Sequence, residues 1–384
     1  MHTRELTSKL PNVGTTIFTV MSKLAADLGA INLSQGFPDF DCDPALVEAV
    51  ARHMREGRNQ YAPMQGVPVL RQAIAAKLNA LYGSNYDADA DITVTSGGTE
   101  AIFDSVACVI RPGDEVIVFE PCYDSYVPSI ELNGGKPVVV SLRYPDYAFP
   151  WDEVRAAITP RTRMIMLNTP LNPAAVILTA ADIRELISIV DGTDITIVSD
   201  EVYEHIVFDG AQHESMSRYP AIAERAVVIG SFAKTFTTTG WKVGWAAAPK
   251  LLSAEVQSIH QWVTFAVNGA IQMAYAEMLR DDPERRSVGE FYQRKRDLFL
   301  SLISDSRLRP LPCRGTFYQM VDYSTITSER DTDVAMWLLK EHGVASIPPS
   351  SFLYGDEPAP PILRLCFAKQ DETLERAAER LRKV

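Results

Sequence analysis

Between about Asp91 and Pro249 the chain repeats one pattern. A short run of β-branched and other apolar residues is followed by a small or polar break, then by a stretch with helical spacing of apolar positions. The runs fall at residues 92–94, 115–119, 137–141, 163–167, 195–199, 226–229 and 243–247, with amphipathic stretches such as 99–110 and 179–190 between several of them. Strand–helix alternation of this kind predicts an α/β fold with a largely parallel sheet covered by helices on both faces. Beyond Pro249 long helical patterns continue to Ile303. Short strands are expected at 316–321, 344–347 and 363–366, and a surface helix at 371–383. The change of character predicts a large domain near 45–275 and a smaller one joining 1–44 to 276–384. No internal repeat or low-complexity stretch interrupts this division.

In open α/β sheets, ligands bind beyond the carboxyl ends of the strands, and four such ends carry chemistry here. After residues 92–94 comes Thr95-Ser96-Gly97-Gly98-Thr99, a glycine turn opening a helix, where bare N–H groups and the helix dipole favour an anion. After 163–167 comes Asn168-Thr169-Pro170-Leu171-Asn172-Pro173, two asparagines held among prolines. After 195–199 come Asp200 and Tyr203, and an acid at a buried sheet mouth is costly unless paired. After 226–229 come Ser231, Lys234 and, further on, Lys242. A lysine kept neutral by a small, apolar setting attacks a carbonyl to form a Schiff base, while a hydroxyl and a second cation suit a phosphate. Each feature has an ordinary reading when taken singly: a tight turn, a turn-rich loop, an N-cap aspartate, a surface lysine pair. Four together, at equivalent ends of one sheet, point to a small molecule carrying both an aldehyde and a phosphate, which describes pyridoxal phosphate.

Composition narrows the class. At 384 residues two domains are expected, and 46% hydrophobic with 22% charged residues is ordinary for a globular protein. A formal charge of -12 argues against a nucleic-acid partner. Five cysteines without CxxC spacing predict neither a disulfide framework nor a zinc site, and no His/Glu spacing predicts any metal. The N-terminal residues lack the apolar core of a signal peptide and no run is long enough to span a bilayer, so a cytoplasmic protein is expected.

The sequence resembles the fold-type I pyridoxal-phosphate enzymes, specifically the class I/II aminotransferases of the methionine aminotransferase and kynurenine–glutamine transaminase K branch. The resemblance runs from about Val13 to the C-terminus. It rests on the Ser231–Lys242 region and on Ile31-Asn32-Leu33-Ser34-Gln35-Gly36-Phe37-Pro38-Asp39-Phe40, Asn59-Gln60-Tyr61-Ala62-Pro63, Ser199-Asp200-Glu201-Val202-Tyr203-Glu204-His205 and Leu363-Arg364-Leu365-Cys366-Phe367-Ala368-Lys369. It implies that Lys234 carries the cofactor and moves the substrate proton, that Asp200 pairs with the pyridine nitrogen, and that Tyr203 and Asn172 hydrogen-bond the ring's phenolate oxygen. It implies that Tyr123 stacks on the ring. Gly98, Thr99, Ser231 and Lys242 would hold the phosphate, with Tyr61 reaching it from the partner of a homodimer. Arg364 would take the substrate carboxylate, helped by Asn172 and the Gly36 backbone. Ile17, Phe18 and Tyr123, with Phe265 and Tyr61 from the partner, would line an apolar side-chain pocket.

The resemblance therefore implies a ping-pong aminotransferase preferring methionine, glutamine, phenylalanine or kynurenine to aspartate, since no second arginine stands ready for a distal carboxylate. A β-lyase acting on cysteine conjugates or cystathionine on the same fold is the nearest alternative. A cofactor-binding sensor fused to a DNA-binding domain fits poorly with the acidic charge. Three departures from the family pattern concern specificity: Leu171, Ala174-Ala175 in place of a Thr/Ser-Gly turn, and Ala233 before the lysine. In the Ala174-Ala175 pair the loss of glycine matters because alanine tolerates positive φ poorly. His205 reads as a structural hydrogen-bonder, and residues 281–286 as a solvated turn.

Overall fold

A computed structural model describes residues 7–11, 14–282, 286–354 and 359–384, with the backbone alone for Arg286. The start of the family-like sequence at Val13 and residues 283–285 of the acidic turn lie outside the described residues. The central sheet has seven strands: β1 Ile92–Thr95, β2 Glu115–Glu120, β3 Lys136–Ser141, β4 Thr162–Asn168, β5 Thr196–Asp200, β6 Ala226–Ser231 and β7 Gly244–Ala247. Their order across the sheet is β1-β7-β6-β5-β4-β2-β3, and every pairing is parallel except the two made by β7. Each expected run is a strand, and the mostly parallel sheet flanked by helices follows the pattern.

Why these runs are apolar almost throughout is visible in how they divide. In β2, Ile117 and Phe119 enter one buried cluster and Val116 and Val118 the other; in β6, Val228 takes the first face while Val227 and Ile229 take the second. Strand side chains alternate between faces, so helices on both sides demand apolar residues at every position. A third cluster gathers the C-terminal part of the chain around Phe299, Leu338, Leu365 and Phe367, together with Met21 and Leu33 from the N-terminal segment.

Two strands matter in that third region: β8 Tyr318–Asp322 pairs antiparallel with β9 Ile362–Cys366, setting Met320 opposite Arg364. β8 begins two residues later than the apolar run suggests because Thr316 has φ 65°, which breaks the extended chain. The N-terminal segment joins this region by a short parallel pairing of Ile31 with Val344 and Asn32 with Ala345. The Cys366 N–H then donates to the Leu33 carbonyl at 2.8 Å, which carries residues 34–37 across to the carboxyl edge of the large sheet.

Candidate active site

A cavity of ≈ 340 Å³ opens at that edge, and its lining includes Gly36, Gly98, Thr99, Tyr123, Asn172, Asp200, Tyr203, Ser231, Lys234, Lys242 and Arg364. Thus residues from five strand ends and from both chain-distant segments meet in one place. Phe18 also lines the wall. Ile17 is not among the lining residues: both it and Phe18 pack against the third apolar cluster, but successive helical positions point about 100° apart, and only Phe18 also reaches the cavity. Tyr61 and Phe265 stand outside this chain's cavity, exposed to 85% and 45%, with their rings edge-to-face at 5.3 Å.

The floor is built by β5 and β6. Asp200 ends β5, where Tyr126 Oη donates to its Oδ2 at 2.7 Å and the Val202 N–H donates to Oδ1 at 3.2 Å. Burial pushes its carboxyl up to about 6 in spite of the Tyr126 hydrogen bond. Ser231 ends β6 and caps the short helix Phe232–Thr235, which aims Lys234 into the cavity. Burial pushes the Lys234 amine down to about 8, against the pull of Asp200. Its Nζ reaches the Gly36 carbonyl at 3.5 Å and lies 5.6 Å from the Tyr203 ring centre. A small fraction of neutral amine is therefore present near pH 7.

The anion side is a matter of close backbone approach. Gly97 has φ 79°, and a Cβ placed on it would stand 3.3 Å from Lys242 Nζ. A Cβ on Gly244 would lie 2.8 Å from the Gly97 carbonyl carbon and 2.9 Å from the Gly98 nitrogen. Glycine at both positions lets β7 press against the turn while Lys242, itself at φ 54°, folds its ammonium over the same turn. Bare N–H groups at the start of the helix Gly98–Val109, a serine hydroxyl and an ammonium make a phosphate-type cradle.

On the opposite wall Arg364 is fully buried. Its Nη1 donates to Asn172 Oδ1 at 2.8 Å and Nη2 to the Ser34 carbonyl at 2.9 Å. Nε has no partner. Tyr318 lies against it, 4.0 Å from ring centre to guanidinium, and accepts a 3.3 Å hydrogen bond from Tyr203. A Cβ at Gly36 would fall 1.8 Å from Tyr318 Oη, so only glycine fits there. Sequence reasoning missed Tyr126 and Tyr318, and found Asn168 without its partners. Asn168 donates to the Asp200 carbonyl at 2.8 Å and accepts from the Asn172 N–H at 2.7 Å, locking two site residues together. The wall is also less apolar than expected, since Gln35 and Asp124 line it beside Phe18 and Phe37. Leu171, Ala174 and Ala175 face buried apolar clusters and are not among the cavity-lining residues.

A buried lysine facing a carboxylate, an anion cradle and a carboxylate-reading arginine on a mostly parallel sheet define an amino-group-transfer enzyme of fold type I. The chain belongs to the aminotransferase class I and II family, which it matches over residues 29–381. It is 49% identical over 378 residues to the methionine aminotransferase of Escherichia coli (strain K12), with 98% of each chain covered. It is 31% identical over 396 residues to the human kynurenine–oxoglutarate transaminase 1, with 94% of each covered. The solved structure of YbdL from Escherichia coli, for which a methionine aminotransferase function is described, superposes with a TM-score of 0.96 over 99% of this chain and 100% of that one. No described helix is long and apolar enough to cross a membrane.

Proposed function

We propose that this aminotransferase uses pyridoxal phosphate, works as a cytoplasmic homodimer, and takes medium-sized neutral or aromatic amino acids such as methionine, glutamine, phenylalanine or kynurenine as donors to a medium-sized 2-oxo acid. The donor set fits the cofactor: an amine able to lose its charge, a buried carboxylate with capacity for a cationic ring nitrogen, and a glycine cradle that a side chain would fill. When bound, the cofactor supplies an aldehyde for the amine and a ring that stores an electron pair. Lys234 would hold that aldehyde and, once freed by the donor amine, would take the proton from the substrate α-carbon and return it on the cofactor side. Asp200 would keep the ring nitrogen protonated. Tyr203 and Asn172 would steady the ring oxygen, Tyr123 would cover the ring face, and Gly98, Thr99, Ser231 and Lys242 would hold the phosphate with Tyr61 of a second subunit. Arg364, oriented by Asn172 and the Ser34 carbonyl, grips the α-carboxylate. The same Asn172 and the Gly36 backbone assist it.

The preference rests on one observation. The lysines and arginine lining the cavity are Lys234, Lys242 and Arg364, each already assigned, while Phe18, Gln35, Phe37, Tyr123 and Asp124 contribute to the wall. A neutral side chain gains roughly 25 cal/mol per Å² of apolar area buried, whereas a distal carboxylate finds no unassigned cation among the lining residues and shares the wall with Asp124. Comparing kcat/KM for methionine, phenylalanine and aspartate with one fixed oxo acid tests this: a clear win for aspartate would sink it. Pyruvate released from a cysteine conjugate without any oxo acid would instead support the β-lyase reading.

A further inference from the structure

Three ionisable side chains from two helices meet beneath the anion cradle. Glu100 and Asp104 lie one turn apart on the helix Gly98–Val109, and His260 comes from the helix Lys250–Val263. All are buried, His260 and Asp104 completely. His260 Nδ1 lies 2.9 Å from Glu100 Oε1, and Nε2 lies 2.9 Å from the Met64 carbonyl oxygen. Glu100 Oε2 accepts the backbone N–H of Ser96, the residue that opens the glycine turn. The segment holding Met64 is the one that leads from Tyr61, and the N–H groups of Thr264 and Phe265 donate to the His260 carbonyl at 3.0 and 2.9 Å.

The hydrogen-bond chemistry is restrictive. A carbonyl oxygen can only accept, so Nε2 carries a proton. The Glu100 carboxylate, held low by His260, Thr264 and the Ser96 N–H against its burial, also accepts, so Nδ1 carries one too. Both nitrogens donate, which is the imidazolium. Asp104 Oδ2 stands 4.0 Å from Nδ1, and neither Asp104 oxygen has a hydrogen-bond partner among the described residues. Burial beside Glu100 pushes its carboxyl up to about 8, so it is the neutral acid of the cluster. The titratable groups facing His260 are thus one carboxylate and one carboxylic acid from the first helix; the segment around Met64 offers its carbonyl.

We propose that His260 is a positioning residue: a buried imidazolium strut that, through Glu100, fixes the Ser96 end of the phosphate cradle and braces it on the segment bearing Tyr61. The proposal rests on the cofactor and dimer reading given above. It makes cofactor phosphate affinity in one site depend on the same brace that orients the residue offered to the neighbouring site.

Isotope-labelled histidine should show both His260 ring nitrogens protonated at pH 7.5 in the intact protein; a neutral ring would overturn the strut. Titration of cofactor-free protein gives the second test. For His260→Ala, affinity for pyridoxal phosphate should fall at least tenfold while affinity for pyridoxal, which lacks the phosphate, changes less than twofold. Equal losses for both ligands, or none, would overturn the proposal. So would a zinc titration in which the wild type, but not His260→Ala, binds and is stabilised, because the three side chains would then be metal ligands. Failure of wild-type protein to bind pyridoxal phosphate at all would instead count against the cofactor assignment, and the nitrogen spectrum keeps the two outcomes apart.

Discussion

The cavity floor and the shelf carrying Tyr61 and Phe265 are built in opposite ways. Asp200 and Ser231 are 4% and 7% exposed, each is hydrogen-bonded by its own chain, and the surrounding strands are apolar on both faces. On the shelf Tyr61 and Trp262 are 85% and 84% exposed, and the Tyr61 ring meets the Phe265 ring edge-to-face. One region is finished within a single chain; the other offers large aromatic surface left exposed among the described residues. Catalytic groups benefit from preorganisation on rigid elements, whereas an exposed aromatic patch is the usual mark of a surface awaiting a partner. The chemistry should therefore survive changes to the shelf better than changes to the floor.

The largest effect expected is at the floor. Lys234→Ala removes both the covalent attachment and the proton carrier, and should cost on the order of 10⁴-fold or more in turnover while the cradle still holds the cofactor. Borohydride treatment of the wild type should fix the cofactor on Lys234; label on Lys242 or Lys250 would break the assignment. Because the neutral amine is the reactive form, capture of cofactor by the free protein should accelerate as pH rises through about 8. Asp200 holds that value up, so Asp200→Asn should move the curve to lower pH and reduce turnover by roughly 10²–10³-fold. A curve flat from pH 6 to 9 contradicts the role given to Lys234.

How much of this contrast could be read from sequence follows the same line. Floor residues announce themselves because small or polar residues break β-branched runs at the strand ends, as at Ser231 and Asp200. Tyr126 and Tyr318 give no such signal: each looks like one more aromatic within an apolar stretch, and its role comes from tertiary packing. Gly36 is legible as a glycine, but its reason, the Tyr318 hydroxyl in the space of a Cβ, is not. The Glu100–Asp104–His260 cluster joins residues far apart in the chain. Two acids one turn apart on an otherwise apolar helix face were the available hint.

A smaller effect is expected on the shelf. If Tyr61 serves a neighbouring subunit, Tyr61→Phe loses one hydrogen bond to a charged group, about 1.5–3 kcal/mol, or roughly 10–100-fold in cofactor affinity, with Lys234 chemistry intact. Dilution of the wild type to monomer should mimic the loss. Full activity as a monomer at assay concentrations would make the shelf irrelevant.

The wall between these regions should respond more modestly. Asp124 lines it with a carboxyl raised by burial. Asp124→Asn removes a like charge, and should improve kcat/KM for aspartate relative to methionine by about tenfold, a magnitude ordinary for a partly solvated charge pair. An unchanged ratio would place the side-chain pocket elsewhere.

The smallest effect is expected at Ala175, in the loop joining floor to wall. It has φ 59° and is fully buried, and its carbonyl accepts the N–H groups of Arg314 at 2.8 Å and Gly315 at 3.2 Å, so the turn is held from both sides. A left-handed alanine costs about 1–2 kcal/mol, which glycine would relieve. Against that, glycine adds about 0.4–1 kcal/mol of unfolded-state entropy and gives up a buried methyl worth about 0.8 kcal/mol. The terms nearly cancel. Ala175→Gly should shift stability by less than about 1 kcal/mol in denaturant unfolding, with donor preference unchanged because the methyl packs in the core and not in the cavity. A loss above about 2 kcal/mol would mean that methyl packing dominates, and an equal gain that the strain does; a changed methionine-to-phenylalanine ratio would mean the turn shapes the site after all.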